Sequence, residues 1–333
     1  MNLTNKYHIS PQTLTIITTY QCTAACKECC FECTPQIKHR LSLEEMIKAI
    51  EQAIQLYSDI KIVVFTGGEC FMLKNDLFKA IEFCTQKGLQ SRCVTNAYWA
   101  KRSEVAERYA KKLVQVGINE INISTGLDHQ EWINEDTVIN AVKHLTQQNI
   151  FTLVTVEKDN DNSNCLNQIL DNPLIQNLTL NHKDIFLIQS NAWMPFYEDS
   201  DQRENIDSDI INKGCDQIFE NLVITPKKEV SACCGLTLEH IPEMKLGNIK
   251  NLECYKDMQQ DDFLKIWIKV EGPLKIIEQL LGENNEKLIN IQHQCQACAI
   301  LHKDEEIIGK LINNYSEYIV PVLHKFNMSK ISQ

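Results

Sequence analysis

Two hydrophobic rhythms, one of period two and one of helical period, take turns along roughly the first 190 residues. Leu14–Tyr20 (LTIITTY) is β-branched and reads as a strand. Leu41 through Tyr57 carries apolar residues at helical spacing behind a Ser42 N-cap signal. The apolar run Ile60–Phe65 ends in Thr66-Gly67-Gly68-Glu69, and a helix is predicted over Asn75–Lys87. Ser91–Val94 reads as a strand, Arg102–Val116 as a helix, Asn119–Ser124 as a strand and Val138–Gln148 as a helix. A strand over Phe151–Val156, a helix starting at Cys165–Leu170 and a strand over Ile185–Gln189 complete the series. Strand and helix alternate about six times, which is βαβ wiring and implies a parallel sheet. Six units fall short of the eight that close a (β/α)8 barrel. The expected fold class is therefore α/β, an open, partial (β/α)6 barrel over residues 10–195. Ligands of such sheets bind at the C-terminal ends of the strands.

The rhythm fails near Asn191. Ser200–Asn212 is polar and acidic and reads as a boundary. Asn221–Thr225 and Glu229–Ala232 flank Pro226–Lys228 and predict a hairpin, and Phe263–Leu281 reads as a helix. Cys295 and Cys298 follow, then a charged helical tail. A small second domain is expected over 205–300, with the tail over 301–333.

Composition narrows the partners. The apolar share of 44% supports a sizeable core, and 33 Lys and Arg against 44 Asp and Glu leave a net charge of −11. Such a surface offers no electrostatic footprint for duplex nucleic acid or an anionic membrane. No apolar run approaches the roughly 18 residues of a membrane span, and the N-terminus lacks an apolar signal region, so a cytoplasmic location is expected. Thiols stay reduced there. Fifteen cysteines are then the main chemical fact, and ten of them are clustered. In a cytosolic protein, clustered cysteines read as metal or redox sites before disulfides.

Cys22, Cys26 and Cys29 form a C-x3-C-x2-C loop directly after the first strand. Four thiolates close a [4Fe–4S] cluster, so three hold three irons and leave the fourth open to a small bidentate ligand. The alternative is zinc, with Cys30 or Cys33 as fourth ligand. Gly67, Gly68 and Glu69 end the second strand: the glycines permit close backbone approach, and the carboxylate accepts hydrogen bonds from an ammonium group. Asn96 and Ser124 end the third and fourth strands and read, by themselves, equally as strand-end caps.

A second set comprises Cys215, the adjacent Cys233 and Cys234, and Cys295-x2-Cys298. Four thiolates fit either a closed [4Fe–4S] cluster or a structural zinc held by four cysteines, and spacing alone leaves both open. In an extended segment neighbouring side chains point to opposite faces, so Cys233 could ligate while Cys234 points elsewhere. Cys234 is then either a hydrogen-atom donor or a small buried hydrophobe. Cys254 is an alternative auxiliary ligand, and Cys84 and Cys93 read as core. Asp128, His129 and Glu157 read as solvated loop residues on the loop-bearing side, and Trp99 and Trp193 as packing rings.

The three-cysteine loop, its place after the first strand and the following Gly-Gly-Glu resemble the radical S-adenosylmethionine (radical SAM) enzymes. The resemblance implies a cluster on Cys22, Cys26 and Cys29 whose open iron chelates SAM, one-electron cleavage of SAM to a 5′-deoxyadenosyl radical, and SAM contacts from Gly67, Gly68, Glu69, Asn96 and Ser124. The family usually has an aromatic residue before the third cysteine, where this chain has Glu28; that departure weakens packing around the cluster, not ligation. The family's proline after Gly-Gly-Glu is Cys70 here. Further stretches, CTAACKECCFECTP at Cys22–Pro35, FTGGE at Phe65–Glu69, TNAYWA at Thr95–Ala100, Cys233–Cys234 and Cys295–Cys298, resemble the YydG-like peptidyl epimerases of epipeptide biosynthesis. These imply a shortened SPASM/Twitch-type domain with an auxiliary [4Fe–4S] cluster on Cys215, Cys233, Cys295 and Cys298, and Cys234 as the thiol that returns hydrogen during L-to-D epimerisation of a ribosomally made precursor peptide. A reductant such as flavodoxin or ferredoxin is implied as partner. The family's aspartate four residues after the first auxiliary cysteine is Phe219 here, with Asp216 nearer. Peptide crosslinking, thioether or carbon–carbon, is the alternative activity, and a non-SAM iron–sulfur or zinc scaffold the second. Thirteen residues precede the first predicted strand, so no separate leader-binding domain is expected.

Overall fold

The computed structural model describes residues 9–158, 164–197, 213–283, 285–289 and 291–331. Of these, 12–197 and 224–228 form one compact unit, and 9–11, 213–223 and 229–331 another.

The first unit is built on six strands: β1 (Thr13–Thr19), β2 (Ile62–Gly67), β3 (Gln90–Thr95), β4 (Glu120–Thr125), β5 (Phe151–Lys158) and β6 (Phe186–Ala192). They lie side by side in sequence order, every neighbouring pair parallel. Between them run α1 (Leu43–Leu56), α2 (Asn75–Gln86), α3 (Ser103–Val116), the short α4 (Leu127–Gln130) with α5 (Glu135–Gln147), and α6 (Cys165–Leu170) with α7 (Pro173–Asn181). Parallel crossovers are right-handed, and strand order never reverses, so every crossover helix falls on one face of the sheet. The helices accordingly pack in succession, α1 on α2, α2 on α3, α3 on α5 and α5 on α7. This is the partial (β/α)6 barrel expected from the rhythm, with strand ends displaced by one to three residues.

The parallel register sorts the side chains. Val63, Phe65, Cys93, Ile121, Ile123, Val154 and Val156 share the face that meets the helices and are fully buried. Each such aliphatic or aromatic side chain contributes about 1.5–3 kcal/mol on leaving water. The opposite face carries Arg92, Asn122, Ser124 and Thr155, and Arg92 pairs with Glu120 at 2.8 Å. Polar residues on the helix-free face are what a ligand-bearing concavity requires.

The second unit contains β7 (Asn221–Ile224, of which Ile224 belongs to the first unit), β8 (Glu229–Ser231) and β9 (Lys245–Asn248), with β8 and β9 antiparallel. The strands at Asn221–Ile224 and Glu229–Ser231 are the predicted pair; β9 is additional. The helix expected over Phe263–Leu281 is two helices, α9 (Phe263–Glu271) and α10 (Pro273–Leu281), after the single turn α8 (Cys254–Asp257). Gly272 breaks them with φ +80°, and a Cβ there would lie 2.1 Å from the Lys213 carbonyl oxygen, while Pro273 starts the next helix. Two helices follow, α11 (Gln294–Lys303) and α12 (Glu305–Ile331). The charged tail is packed: Tyr318 of α12 lies 4.5 Å from the fully buried Trp267 ring, and Ile307, Val322 and Phe326 are buried. Ser200–Asn212, read as a boundary, lies outside the described residues. No described helix is long and apolar enough to cross a membrane.

Ser42 closes the capping box that its position suggested: its hydroxyl accepts from the Glu45 N–H, and the Glu45 carboxylate accepts from the Ser42 N–H. Ser42→Ala is expected to cost about 1 kcal/mol in urea unfolding.

Candidate functional site

β1 delivers the chain directly into the cysteine loop. Cys22 is buried, and Cys26 and Cys29 are half-buried. Burial pushes the Cys22 thiol up to about 12 and Cys26 higher still, and by charge repulsion Cys29 raises both and Cys22 raises Cys26. Such a set is stable as thiolate only with a cation among its sulfurs. N–H groups already face the sulfurs: Ala24 donates to Cys22 Sγ at 3.4 Å, and Cys33 donates to Cys29 Sγ at 3.4 Å. The Cys33 thiol also donates to Cys29, and this hydrogen bond holds the Cys29 thiol at about 6 against the effect of burial. Cys33 thus serves a cysteine of the triad by hydrogen bonding.

Gly67 and Gly68 press against the start of this loop. A Cβ on Gly68 would stand 2.4 Å from the Gln21 carbonyl oxygen and 3.2 Å from Cys22 Cβ, and one on Gly67 2.4 Å from the Thr19 carbonyl oxygen. Gly68 N–H donates to Thr19 O at 2.7 Å and Glu69 N–H to Gln21 O at 3.0 Å. The close approach that the glycines permit is therefore to the cysteine loop's own backbone.

Glu69 is fully buried. Its carboxylate accepts from Thr95 Oγ1 at 2.9 Å on both oxygens, from the Asn96 N–H at 2.9 Å and from the Phe71 N–H at 3.0 Å. Burial pushes its carboxyl up to about 7, against these donors. Asn96 then reaches the cysteine loop: its Nδ2 lies 3.6 Å from Cys22 Sγ and 3.1 Å from Thr23 Oγ1. Cys22, Glu69 and Asn96 are thereby one connected group. Ser124 stands on the helix-free face of the adjacent β4, in register with Thr155 of β5. Thr95, which donates to both Glu69 oxygens, joins this group although the sequence reading assigns it no role; its position beside Asn96 at a strand end is the signal that could have found it.

Asp128, His129 and Glu157 are not the solvated loop residues expected from sequence. Asp128 and Glu157 are buried, and His129 Nδ1 lies 2.5 Å from Glu157 Oε1. Burial opposes charge on the His129 ring, but the Glu157 hydrogen bond and charge outweigh it and raise its affinity for a proton. The Asp128 N–H donates to the other Glu157 oxygen at 3.0 Å. Gly126 makes room, since a Cβ there would meet Glu157 Cβ at 2.5 Å. Glu28, expected to weaken packing, is instead buried and anchors the segment after β6: its carbonyl accepts from Trp193 Nε1 and its carboxylate from the Phe196 N–H, each at 2.6 Å.

The second thiol set lies within the other unit. Cys215, Cys233, Cys295 and Cys298 all perturb one another by charge, every pair of the four being represented. Burial first, and then this repulsion, pushes the thiols up, Cys295 to about 12. Cys295 and Cys298 sit in the first turns of α11, whose N-terminus is capped by His293 Nδ1 accepting from the Cys295 N–H at 3.0 Å. Burial keeps the His293 ring neutral, down to about 4, which leaves Nδ1 able to accept. Gly235 completes the cradle: a Cβ there would be 3.0 Å from Cys295 Sγ and 3.7 Å from Cys233 Sγ. Cys234 is half-buried beside Cys233 and Cys295. Cys254 packs under Gly247 with Asp257 as its charged neighbour. Phe219, in the place of the family's aspartate, has φ +69° and stacks its edge on Phe326 at 6.1 Å. Among the described residues no three His, Cys, Asp or Glu side chains converge on one metal ion.

A sequence profile of the Radical SAM superfamily matches residues 16–161. The putative peptide biosynthesis protein YydG of Bacillus subtilis (strain 168) is 22% identical over 166 residues, 49% of this chain and 52% of that protein. The chain thus matches about half the length of this curated relative. Among solved structures, native anSMEcpe with bound AdoMet superposes with a TM-score of 0.56 at 12% identity, covering 95% of this chain and 100% of that one. Native anSMEcpe with bound AdoMet and Cp18Cys peptide gives 0.54 at 12% identity over 95% and 99%. At such identities the structural likeness is one of fold.

The Glu69 carboxyl titrates higher in the folded chain than in the unfolded one, so the folded state holds its proton to higher pH. Stability from this group is intact below pH 4.5 and declines as pH rises to about 7. Measured by urea unfolding without metal, the wild type should lose stability relative to Glu69→Gln across that interval; a constant difference would contradict the burial argument.

Proposed function

We propose, on the premise that residues 16–161 are the radical SAM domain of an enzyme of that superfamily, that the chain epimerises L-residues of a ribosomally made peptide to D. The name of the relative YydG and the bound peptide in one anSMEcpe structure support a peptide as substrate. Cys22, Cys26 and Cys29 would hold a [4Fe–4S] cluster, which would supply the electron for reductive cleavage of SAM to methionine and a 5′-deoxyadenosyl radical. The chain's own residues do the rest. Asn96 and the Ala24 N–H orient Cys22, and Gly67, Gly68 and Glu69 shape the wall against which SAM binds, with Ser124 on the adjoining strand.

The substrate Cα–H bond then breaks homolytically, its hydrogen passing to the deoxyadenosyl carbon to give 5′-deoxyadenosine. The Cys234 S–H bond breaks next and its hydrogen adds to Cα from the opposite face. The sulfur radical left on Cys234 takes one electron and one proton, restoring the thiol; a low-potential flavodoxin or ferredoxin supplies both electrons used in a turnover. The observation that carries this reading is five thiols where a closed auxiliary cluster takes four. Cys215, Cys233, Cys295 and Cys298 repel one another in every pairing, and the half-buried Cys234 adjoins them, acting by charge on Cys233 and Cys295. A scaffold without SAM chemistry leaves the match of residues 16–161 without a reason.

Reduced enzyme, SAM and a candidate precursor peptide in D2O should give one deuterium per modified residue and no other mass change. Loss of two hydrogens would replace this reading with crosslinking. Cys234→Ala should keep its iron and its 5′-deoxyadenosine production while losing deuterium incorporation; loss of iron would make Cys234 a ligand. The triple replacement of Cys22, Cys26 and Cys29 by Ala should abolish 5′-deoxyadenosine yet keep the iron of the second set.

A further inference from the structure

The helix layer of the first unit carries a concavity that the chemistry above does not use. Between α2 and α3 lies a cavity of about 690 Å³. Its floor is formed by the half-buried rings of Phe78 and Tyr109, 5.9 Å apart. That floor is rigid: Trp99 stacks on Tyr109 at 5.3 Å and 10°, and Phe71 packs within 6.4 Å of Phe78 and 5.9 Å of Tyr109. Its rim is cationic, with Lys74, Arg108, Lys111 and Lys112. Lys111 pairs with Glu107 at 2.6 Å, whereas Lys74, Arg108 and Lys112 form no ion pair among the described residues. Glu104, one turn before Arg108, lies 4.0 Å from Arg102 instead.

Three such cations are out of keeping with a chain of net charge −11, which has acidic residues in excess to neutralise them. Arg108 and Lys112 repel one another at i, i+4 spacing. Lys74 adopts φ 54°, a conformation that costs a side-chain-bearing residue free energy and is kept where the surroundings impose it. It stands at the N-cap of α2, which no side chain caps, so the helix adds its positive end to the same rim. An aromatic floor under a cationic rim is complementary to a chain segment that alternates carboxylates with apolar side chains.

We propose that the groove between α2 and α3 binds an acidic, aromatic-bearing segment of the polypeptide substrate, apart from the residue that is modified. This rests on the reading of a peptide as substrate, but binding is measured without turnover.

The test is fluorescence anisotropy of the full-length protein with a fluorescein-labelled peptide repeating Glu-Glu-Phe. The double charge reversal R108E/K112E, at exposed positions, should weaken binding by at least about tenfold, and added salt should weaken the wild type in the same direction. Phe78→Ala, with all charges kept, should weaken it as well. A peptide repeating Lys-Lys-Phe should prefer the R108E/K112E protein. Equal binding by wild type and R108E/K112E overturns the proposal. So does an unaltered Phe78→Ala, which would reveal charge attraction without a groove, or tighter binding of labelled oligothymidylate, lost in the same variant. Dithionite-driven 5′-deoxyadenosine formation by R108E/K112E should equal wild type. If no peptide is ever modified while the anisotropy differences persist, the catalytic reading fails and the groove stands.

Discussion

The first unit is organised around a carboxylate that has no water. Glu69 is fully buried at the end of β2, and burying an ionisable group without partners costs several kcal/mol. The chain meets that constraint with three donors, the Thr95 hydroxyl and the Asn96 and Phe71 N–H groups. Two of them lie at the end of β3, so satisfying the carboxylate ties β2 to β3. Asn96 then commits its side chain to Cys22 and Thr23, which ties both strands to the cysteine loop. The order of the site follows from the need to solvate one oxygen pair with protein groups.

A second constraint is repulsion between sulfurs. Burial and neighbouring sulfurs push Cys22, Cys26 and the thiols of the second set toward the protonated form, while the Cys33 hydrogen bond holds Cys29 low, and each set has N–H donors or a helix N-terminus aimed at it. Those features stabilise thiolates and gain nothing from neutral thiols. The glycines follow the same logic. Gly68 and Gly235 stand where a single methyl group would collide with the loop carbonyl or the Cys295 sulfur.

Much of this is legible in the chain. The alternation of periods locates all six strands of the barrel, because one helix-covered, buried face and one helix-free face with polar residues leave a plain mark on apolar spacing. Ser42 announces its helix start. Where local rules fail, a physical reason is visible. Phe263–Leu281 carries apolar residues at helical spacing, and that period masks the Gly272-Pro273 pair inside it, a local breaker at which Gly272 takes φ +80° and Pro273 starts a new helix. α7 escapes the apolar rhythm although Asn172 and Pro173 carry an ordinary cap and first-turn pair, because the helix is short and buries only Ile175 and Leu178. Glu28 looks like a packing defect, and the approach of Trp193 and Phe196, more than a hundred and sixty residues away, gives it partners there.

By itself the sequence determined the class of fold, the three-cysteine loop after the first strand and the Gly-Gly-Glu at the end of the second. These are local: periodicity, spacing and residue type act within a few residues of one another. Tertiary structure alone decided that Glu69 is enclosed by Thr95 and Asn96, that Asp128, His129 and Glu157 are a buried group and not a wet loop, and that Cys215 joins Cys233, Cys295 and Cys298 while Cys254 stays with Asp257. Most of these are contacts across tens of residues, and the partner is chosen by how strands and helices stack, which no single stretch of the chain specifies.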